Sequence, residues 1–122
     1  MVIVPDFLIK RIYQKGSLKA EDGCVCLKLK NVLGPGFISG FNYVKINDTL
    51  FKPDEVKFLT NGQEIYATNL SDDNPISFRL GQEGLLVLKG HENCLVEGKN
   101  KIEIEAMNPE AGKVLLSVED TI

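Results

Sequence analysis

The chain has no tryptophan, a single histidine and only two methionines. Without tryptophan, Tyr13, Tyr43 and Tyr66 are the only residues with the ring and hydroxyl suited to stacking on sugars, which leaves a carbohydrate module short of its usual platform. There is no basic excess either. Fourteen Lys and Arg stand against 17 Asp and Glu, a formal net charge of −3. That balance, with the cations scattered along the chain, excludes the basic face of a nucleic-acid binder and the polybasic cluster of a membrane-surface protein.

No apolar run approaches the roughly 18–20 residues that cross a bilayer. The opening segment "MVIVPDFLIKRIY" has no basic region before it and no small-residue cleavage site after it, so it reads as part of the mature fold. Cysteine is scarce and odd in number: Cys24, Cys26 and Cys94. Free thiols in a reducing cytoplasm fit this better than a disulfide framework. A chain of 122 residues buries roughly two-thirds of its unfolded surface, enough for one hydrophobic core without staples. One cytoplasmic domain over residues 1–122 is expected.

What the chain does have is a period of two. "CVCLKLKN" puts Val25, Leu27 and Leu29 on one strand face and Cys24, Cys26, Lys28 and Lys30 on the other. "KNKIEIEA" sends Ile102, Ile104 and Ala106 inward and Glu103 and Glu105 outward, and "KVLLSVED" repeats the theme. "GLLVLKG" is an unbroken apolar run, which predicts a central strand buried on both faces. Turn signals punctuate these runs: "EDG" at Glu21–Gly23, Asn47–Asp48, "TNG" at Thr60–Gly62, "LGQEG" and "MNPEAG", the last four read as hairpin closures. Helix is confined to "PDFLIKRIY", with Pro5 at the first helical position, and to one turn in "KPDEV"; the former is equally compatible with a run into a first strand. The expected fold is all-β, an immunoglobulin- or fibronectin-like antiparallel sandwich with at most one short N-terminal helix.

"NVLGPGFISGF" breaks the pattern. Gly34, Pro35, Gly36 and Gly40 interrupt Val32, Leu33, Phe37, Ile38 and Phe41, so the chain must bend or bulge here. The apolar residues are either core at a crossover or a patch that docks a partner. On the second reading Phe37, Ile38, Phe41 and Tyr43 are the interface candidates. The Gly-x-Gly in this stretch has no buried strand before it and no helix after it, so it is not a dinucleotide fingerprint.

The densest chemistry is "HENC": His91, Glu92 and Cys94 within four residues. With Cys24 and Cys26 these residues offer soft zinc ligands. A Cys-x-Cys on a straight strand splays its thiols, however, whereas structural zinc sites use Cys-x(2–4)-Cys turns. A Cys–His nucleophile needs a third orienting group and a geometry that neighbouring loop residues rarely reach, and no Gly-x-Ser-x-Gly elbow is present. The acid pairs Asp54–Glu55 and Asp72–Asp73 sit in turn contexts, and Glu103–Glu105 on a solvent face. No catalytic, metal or cofactor site is therefore assigned, and His91, Glu92 and Cys94 are read as a connecting loop. In "CLVEGKNKIEIEA", Leu95 is expected to tuck under a turn, Gly98 to supply positive φ, and Asn100 to tie the loop through its amide.

Three segments, "VKINDTLFKPDEVKF" (44–58), "ISFRLGQEGLLVLKG" (76–90) and "LVEGKNKIEIEA" (95–106), resemble in order and spacing the β subunits of the C-glycoside deglycosidases. The matching positions are Val44 and Ile46, the Asn47–Asp48 turn, Pro53 with Glu55 and Val56, Phe78 with Gly81, and Leu95 with Gly98 and Asn100. Asn47–Asp48 stands where an Asp-Gly turn is expected, and the first third of the chain matches only in general pattern. Short archaeal proteins of this look also carry the label hydroxymethylglutaryl-CoA reductase. This chain has no room for a dinucleotide domain plus a thioester site. The resemblance implies a sandwich without catalytic residues that buttresses a separate, metal-dependent barrel subunit. The expected role is thus an accessory or scaffold chain that self-associates or joins a catalytic partner, without cofactor, nucleic acid or membrane. A small-molecule or carbohydrate-binding module is the alternative, and a small Cys/His metal protein or enzyme comes third.

Overall fold

The computed structural model describes residues 6–34 and 36–122. Pro5 and Pro35, with the roles expected of them, lie outside the described residues. A short helix, α1 (Asp6–Ile9), runs into a 3-10 turn at Lys10–Ile12. Strands follow as β1 (Lys19–Glu21), β2 (Cys24–Lys30), β3 (Phe37–Ile38), β4 (Gly40–Ile46), β5 (Thr49–Phe51), β6 (Val56–Thr60), β7 (Gln63–Tyr66), β8 (Ile76–Ser77), β9 (Glu83–Lys89), β10 (Lys99–Asn108) and β11 (Gly112–Thr121).

Two antiparallel sheets form, ordered β1-β2-β9-β6-β7 and β11-β10-β4-β5, with β3 and β8 as a separate small pair. The fold is the all-β sandwich that the two-residue period predicts. Val25, Leu27 and Leu29 of β2, Leu86 and Leu88 of β9 and Phe58 of β6 share one buried cluster with Val44 and Ile46 of β4 and Ile102 and Ile104 of β10. Alternation makes this possible, because every second residue of each strand points to the same face.

The turns work through left-handed backbone at the positions the sequence marks. Asp22 and Gly23 take φ of 52° and 78°, and Asn61 and Gly62 take 53° and 76°. These are the positive angles that two-residue hairpins need to match strand twist. The "KPDEV" turn is a 3-10 turn at Pro53–Glu55.

Three expectations change. β9 is central, but only Gly84, Leu86 and Leu88 are buried, while Leu85 and Val87 are partly exposed. "LGQEG" does not close a hairpin, because β8 pairs with β3 whereas β9 pairs with β2 and β6. Cys26 lies on the lysine face of β2 yet is buried, since its register partners Lys19 and Val87 flank it on both sides. Gly84 carries a separate constraint: a Cβ there would collide with the ring of Phe58, which lies over it.

The N-terminal segment joins both sheets along one side. Tyr13 bridges to Leu29 of β2, and its hydroxyl donates to the Asp120 carboxylate of β11. The Gly16 N–H donates to the same carboxylate at 2.7 Å and the Thr121 N–H at 2.8 Å. Burial works against the charge on Asp120, but these donors outweigh it and hold its pKa below the usual aspartate value. For Tyr13, burial first and the Asp120 hydrogen bond second push the phenol well above the ordinary tyrosine range.

Linkage sets the sign of each contribution. The depressed Asp120 contributes stability above the unfolded aspartate pKa of about 4, lost as pH falls through the lower folded value. The raised Tyr13 contributes stability below about pH 10, lost as pH climbs toward its folded value. Tyr13→Phe is expected to cost about 1–3 kcal/mol at neutral pH. Urea unfolding across pH should show the gap to wild type narrowing below about pH 4 and above about pH 10; a gap flat with pH would contradict the pairing.

Candidate functional site

The loop after β9 is built by backbone reversal. Gly90 and His91 both take positive φ, 76° and 51°, and Glu92–Cys94 forms a 3-10 turn in which the Cys94 N–H donates to the His91 carbonyl at 2.9 Å. The half-exposed His91 sets Nε2 3.4 Å from Oε2 of Glu55 and its ring edge-on to the buried Phe51, with centroids 5.5 Å apart. Glu55 also accepts the Lys52 N–H at 3.0 Å. The imidazole is thus turned toward the 53–55 turn.

Burial pushes the Cys94 thiol above its ordinary value, and burial followed by the neighbouring Cys24 does the same for Cys26. A raised thiol is a weaker source of thiolate, the form that attacks or binds metal. Among the described residues, no three His, Cys, Asp or Glu side chains converge on a point where a metal ion could sit.

What the loop contains instead is a buried amide clamp. Asn100 has no exposed surface. Its Oδ1 accepts the Val96 N–H at 2.8 Å and the Asn47 Nδ2 at 3.0 Å. Its Nδ2 donates to the carbonyls of Val96 at 2.8 Å and Gly98 at 3.2 Å. Gly98 supplies the positive φ, 102°. Asn47 extends the clamp, donating to the Cys94 carbonyl at 2.8 Å and accepting the Lys101 N–H at 3.0 Å. The loop roles expected of Gly98 and Asn100 hold, and Asn47 is more than a hairpin turn.

A different chemistry gathers at the opposite side of β4. Asn31, just past β2, donates its amide to the carbonyls of Gly34 and Phe78 and accepts the Leu33 N–H at 2.9 Å. Asn108 donates to the Phe37 carbonyl at 2.9 Å, and the Ser39 N–H donates to the Met107 carbonyl at 2.8 Å. These bonds staple the β3–β8 pair over one end of the sandwich. Beneath it lies a cavity of about 340 Å³, whose lining includes Ile9, Ile12, Leu29, Phe78 and Ile104. Its rim is apolar and open to solvent at Leu33 and at Phe37, which is 51% exposed. Outside the lining, Val32 and Leu80 are also exposed, next in the chain to Asn31 and Gly81, which are joined by the Gly81 N–H donating to the Asn31 carbonyl at 2.7 Å.

The interface candidates divide here. Phe37 and the half-buried Ile38 sit at this rim. Phe41 does not: it is 2% exposed and packs on Phe58 with centroids 5.4 Å apart. The cause is a β-bulge. Glu105 pairs with Tyr43 and Ala106 with Phe41, so the extra residue, Asn42, lets Phe41 and Val44 both face the core. Tyr43 belongs to the outer face of the four-stranded sheet. Its hydroxyl donates to Glu103, and that bond, ahead of a small burial effect, pushes the phenol up to about 12.

The three tyrosines are dispersed, with Tyr13 buried and Tyr66 on the other sheet under the ammonium groups of Lys89 and Lys57, 4.6 and 5.9 Å from its centroid. Sequence reasoning missed Leu80, Asn31 and Asn108. Asn31 ahead of Gly34 and Asn108 ahead of Pro109 were the available signals, since Asn before a turn caps its backbone.

No helix among the described residues is long and apolar enough to cross a membrane. A family model described as "Hydroxymethylglutaryl-CoA reductase, N-terminal domain" matches residues 8–122; this match gives no support to the C-glycoside deglycosidase resemblance. No curated protein matches the chain.

Asn100→Ala is expected to unpair several buried backbone groups at about 1–3 kcal/mol each. Hydrogen exchange should show the 95–100 loop opening well before the strands; a loop as protected as in wild type would refute the clamp.

Proposed function

The chain belongs to the hydroxymethylglutaryl-CoA reductase N-terminal domain family, and we propose that it acts there as a non-catalytic sandwich working through protein association. The observation that carries this is the exposed apolar pair Leu33 and Phe37 at the cavity rim, with Val32 and Leu80 also exposed beside the hydrogen bond that joins Gly81 to Asn31. Apolar side chains held in water on a rigid support are the signature of an interface rather than of a packed core. The raised thiols of Cys26 and Cys94 and the engagement of His91 with Glu55 also favour a non-catalytic role.

The partner is a catalytic protein. The family description favours the catalytic part of a reductase, whose dinucleotide chemistry needs a nucleotide-binding crevice of another kind of fold. The C-glycoside deglycosidase resemblance supplies the other form of the reading, a metal-dependent, sugar-active barrel as partner. Phe37→Ser combined with Leu80→Ser should leave the melting temperature within a few degrees of wild type, since both side chains are exposed. The double change should weaken association with the co-expressed catalytic partner by roughly tenfold or more, as removal of central apolar anchors does. Unchanged association, read by sedimentation velocity, would overturn this use of the surface.

The cavity favours a second reading, an apolar small-molecule site. Its volume of about 340 Å³ falls in the range of ligand pockets. The amides of Asn31 and Asn108 at its edge are already committed to backbone carbonyls, so the ligand would be held by contact and not by a polar head. A medium-chain fatty alcohol should then raise the melting temperature in proportion to its concentration. Ala111→Phe, which narrows the cavity, should abolish that rise; a rise that survives the change would place binding elsewhere.

A further inference from the structure

The four lateral edges of the two sheets are unequal. β1, β5 and β7 have three, three and four residues, short enough to offer little template for another strand. The fourth, β11, has ten. It pairs with β10 through ten consecutive residues without a register shift, and it contains no proline. Among the described residues, no hydrogen bond outside the β10 ladder reaches the backbone of residues 113–119. The N-terminal segment packs against β11 through α1 and the 3-10 turn, where Ile9 and Ile12 share the cavity lining with Val114 and Leu116 and Lys10 lies by Ser117 and Glu119. Its hydrogen bonds to the strand, however, are at Asp120, from Tyr13 and Gly16. A regular strand of this length with an unpaired edge is a ready site for strand addition.

The side chains indicate what would add there. Lys113, Leu115, Ser117 and Glu119 alternate outward and are exposed, while Val114, Leu116 and Val118 face the interior side. We infer that β11 is a self-complementary edge, pairing antiparallel with β11 of a second copy about a two-fold axis through Leu116. In that register Lys113 of each copy stands opposite Glu119 of the other, and Leu115 opposite Ser117. Val114 opposes Val118 on the inner side. Both Lys–Glu pairs are opposite-charge cross-strand pairs, and the two Leu115 side chains become diagonal neighbours across the axis. Shifting the axis by one residue either way loses this match, setting Lys113 against Ser117 or Thr121. The result is a continuous sheet made of both copies' four-stranded sheets, isologous as a two-fold interface must be.

The test uses the full chain and charge reversal at exposed positions. Wild type should sediment as a dimer, and both Lys113→Glu and Glu119→Lys should weaken self-association by roughly tenfold or more. Glu119 also faces Lys101 within its own chain, so thermal unfolding of each variant checks that the fold persists. The deciding arm is an equimolar mixture of the two variants. In that heterodimer the two substituted positions face each other at one end, an opposite-charge pair with its signs exchanged. At the other end the native Lys113 meets the native Glu119, so the dimer should return. A misfolded variant would not be rescued by mixing. Monomeric wild type, a dimer indifferent to both reversals, or a mixture that stays monomeric would each overturn the inference. A dimer lost on Phe37→Ser but insensitive to charge reversal would assign self-association to the rim instead.

Discussion

A sandwich of two sheets must carry its chain past an apolar core at every crossing, and backbone polar groups there cannot be left unpaired. In this protein three buried polar side chains meet that requirement. Asn100, with Asn47, ties the loop into β10. Asn31 ties the exit of β2 to β8 and its neighbours. Asp120 ties the N-terminal segment to β11. Each supplies the hydrogen bonds a strand neighbour would have given, at a point where there is no strand. The packing of Phe41, Phe51, Phe58 and the aliphatic layers depends on these crossings, because a displaced loop would shift the register of the strand it feeds.

The same clamps divide the molecule into parts with different functional value. Around His91 the loop is fixed from inside by Asn47 and Asn100, and its chemical groups turn toward neighbouring loops rather than toward a common point. Around Phe37 the staples from Asn31 and Asn108 hold the backbone, while the apolar side chains remain outside. Rigid support beneath exposed apolar groups lowers the ordering cost of binding, since little conformational freedom remains to be lost. The sugar-stacking alternative fares differently, because Tyr43 and Tyr66 belong to separate sheets.

Local signals were legible where local physics decides. Alternation in "KNKIEIEA" and "CVCLKLKN" marked β10 and β2, and Asp22–Gly23 and Asn61–Gly62 marked the β1–β2 and β6–β7 turns through the left-handed backbone these residues tolerate. Gly98 and Asn100 could be read as a loop tie, because an amide within two to four residues reaches its own turn. Phe41 could not be placed, since its burial depends on a bulge defined against β10, more than 60 residues away in the chain. Nor could Cys26, which is buried by side neighbours on β1 and β9.

By itself, the sequence determined an all-β sandwich, the positions of its main strands and most of its turns, and a chain poor in activated chemical groups. Those properties follow from side-chain period, backbone preference and composition, which act over a few residues. Only the tertiary structure decided which strands are neighbours, that the turn at Leu80–Gly84 joins strands that do not pair, and that Phe37 and Leu33 share one exposed rim. It also decided that β11 is left as the long edge. Strand pairing is a contest among distant segments with similar patterns, and its outcome rests on core packing and loop closure that no local window contains.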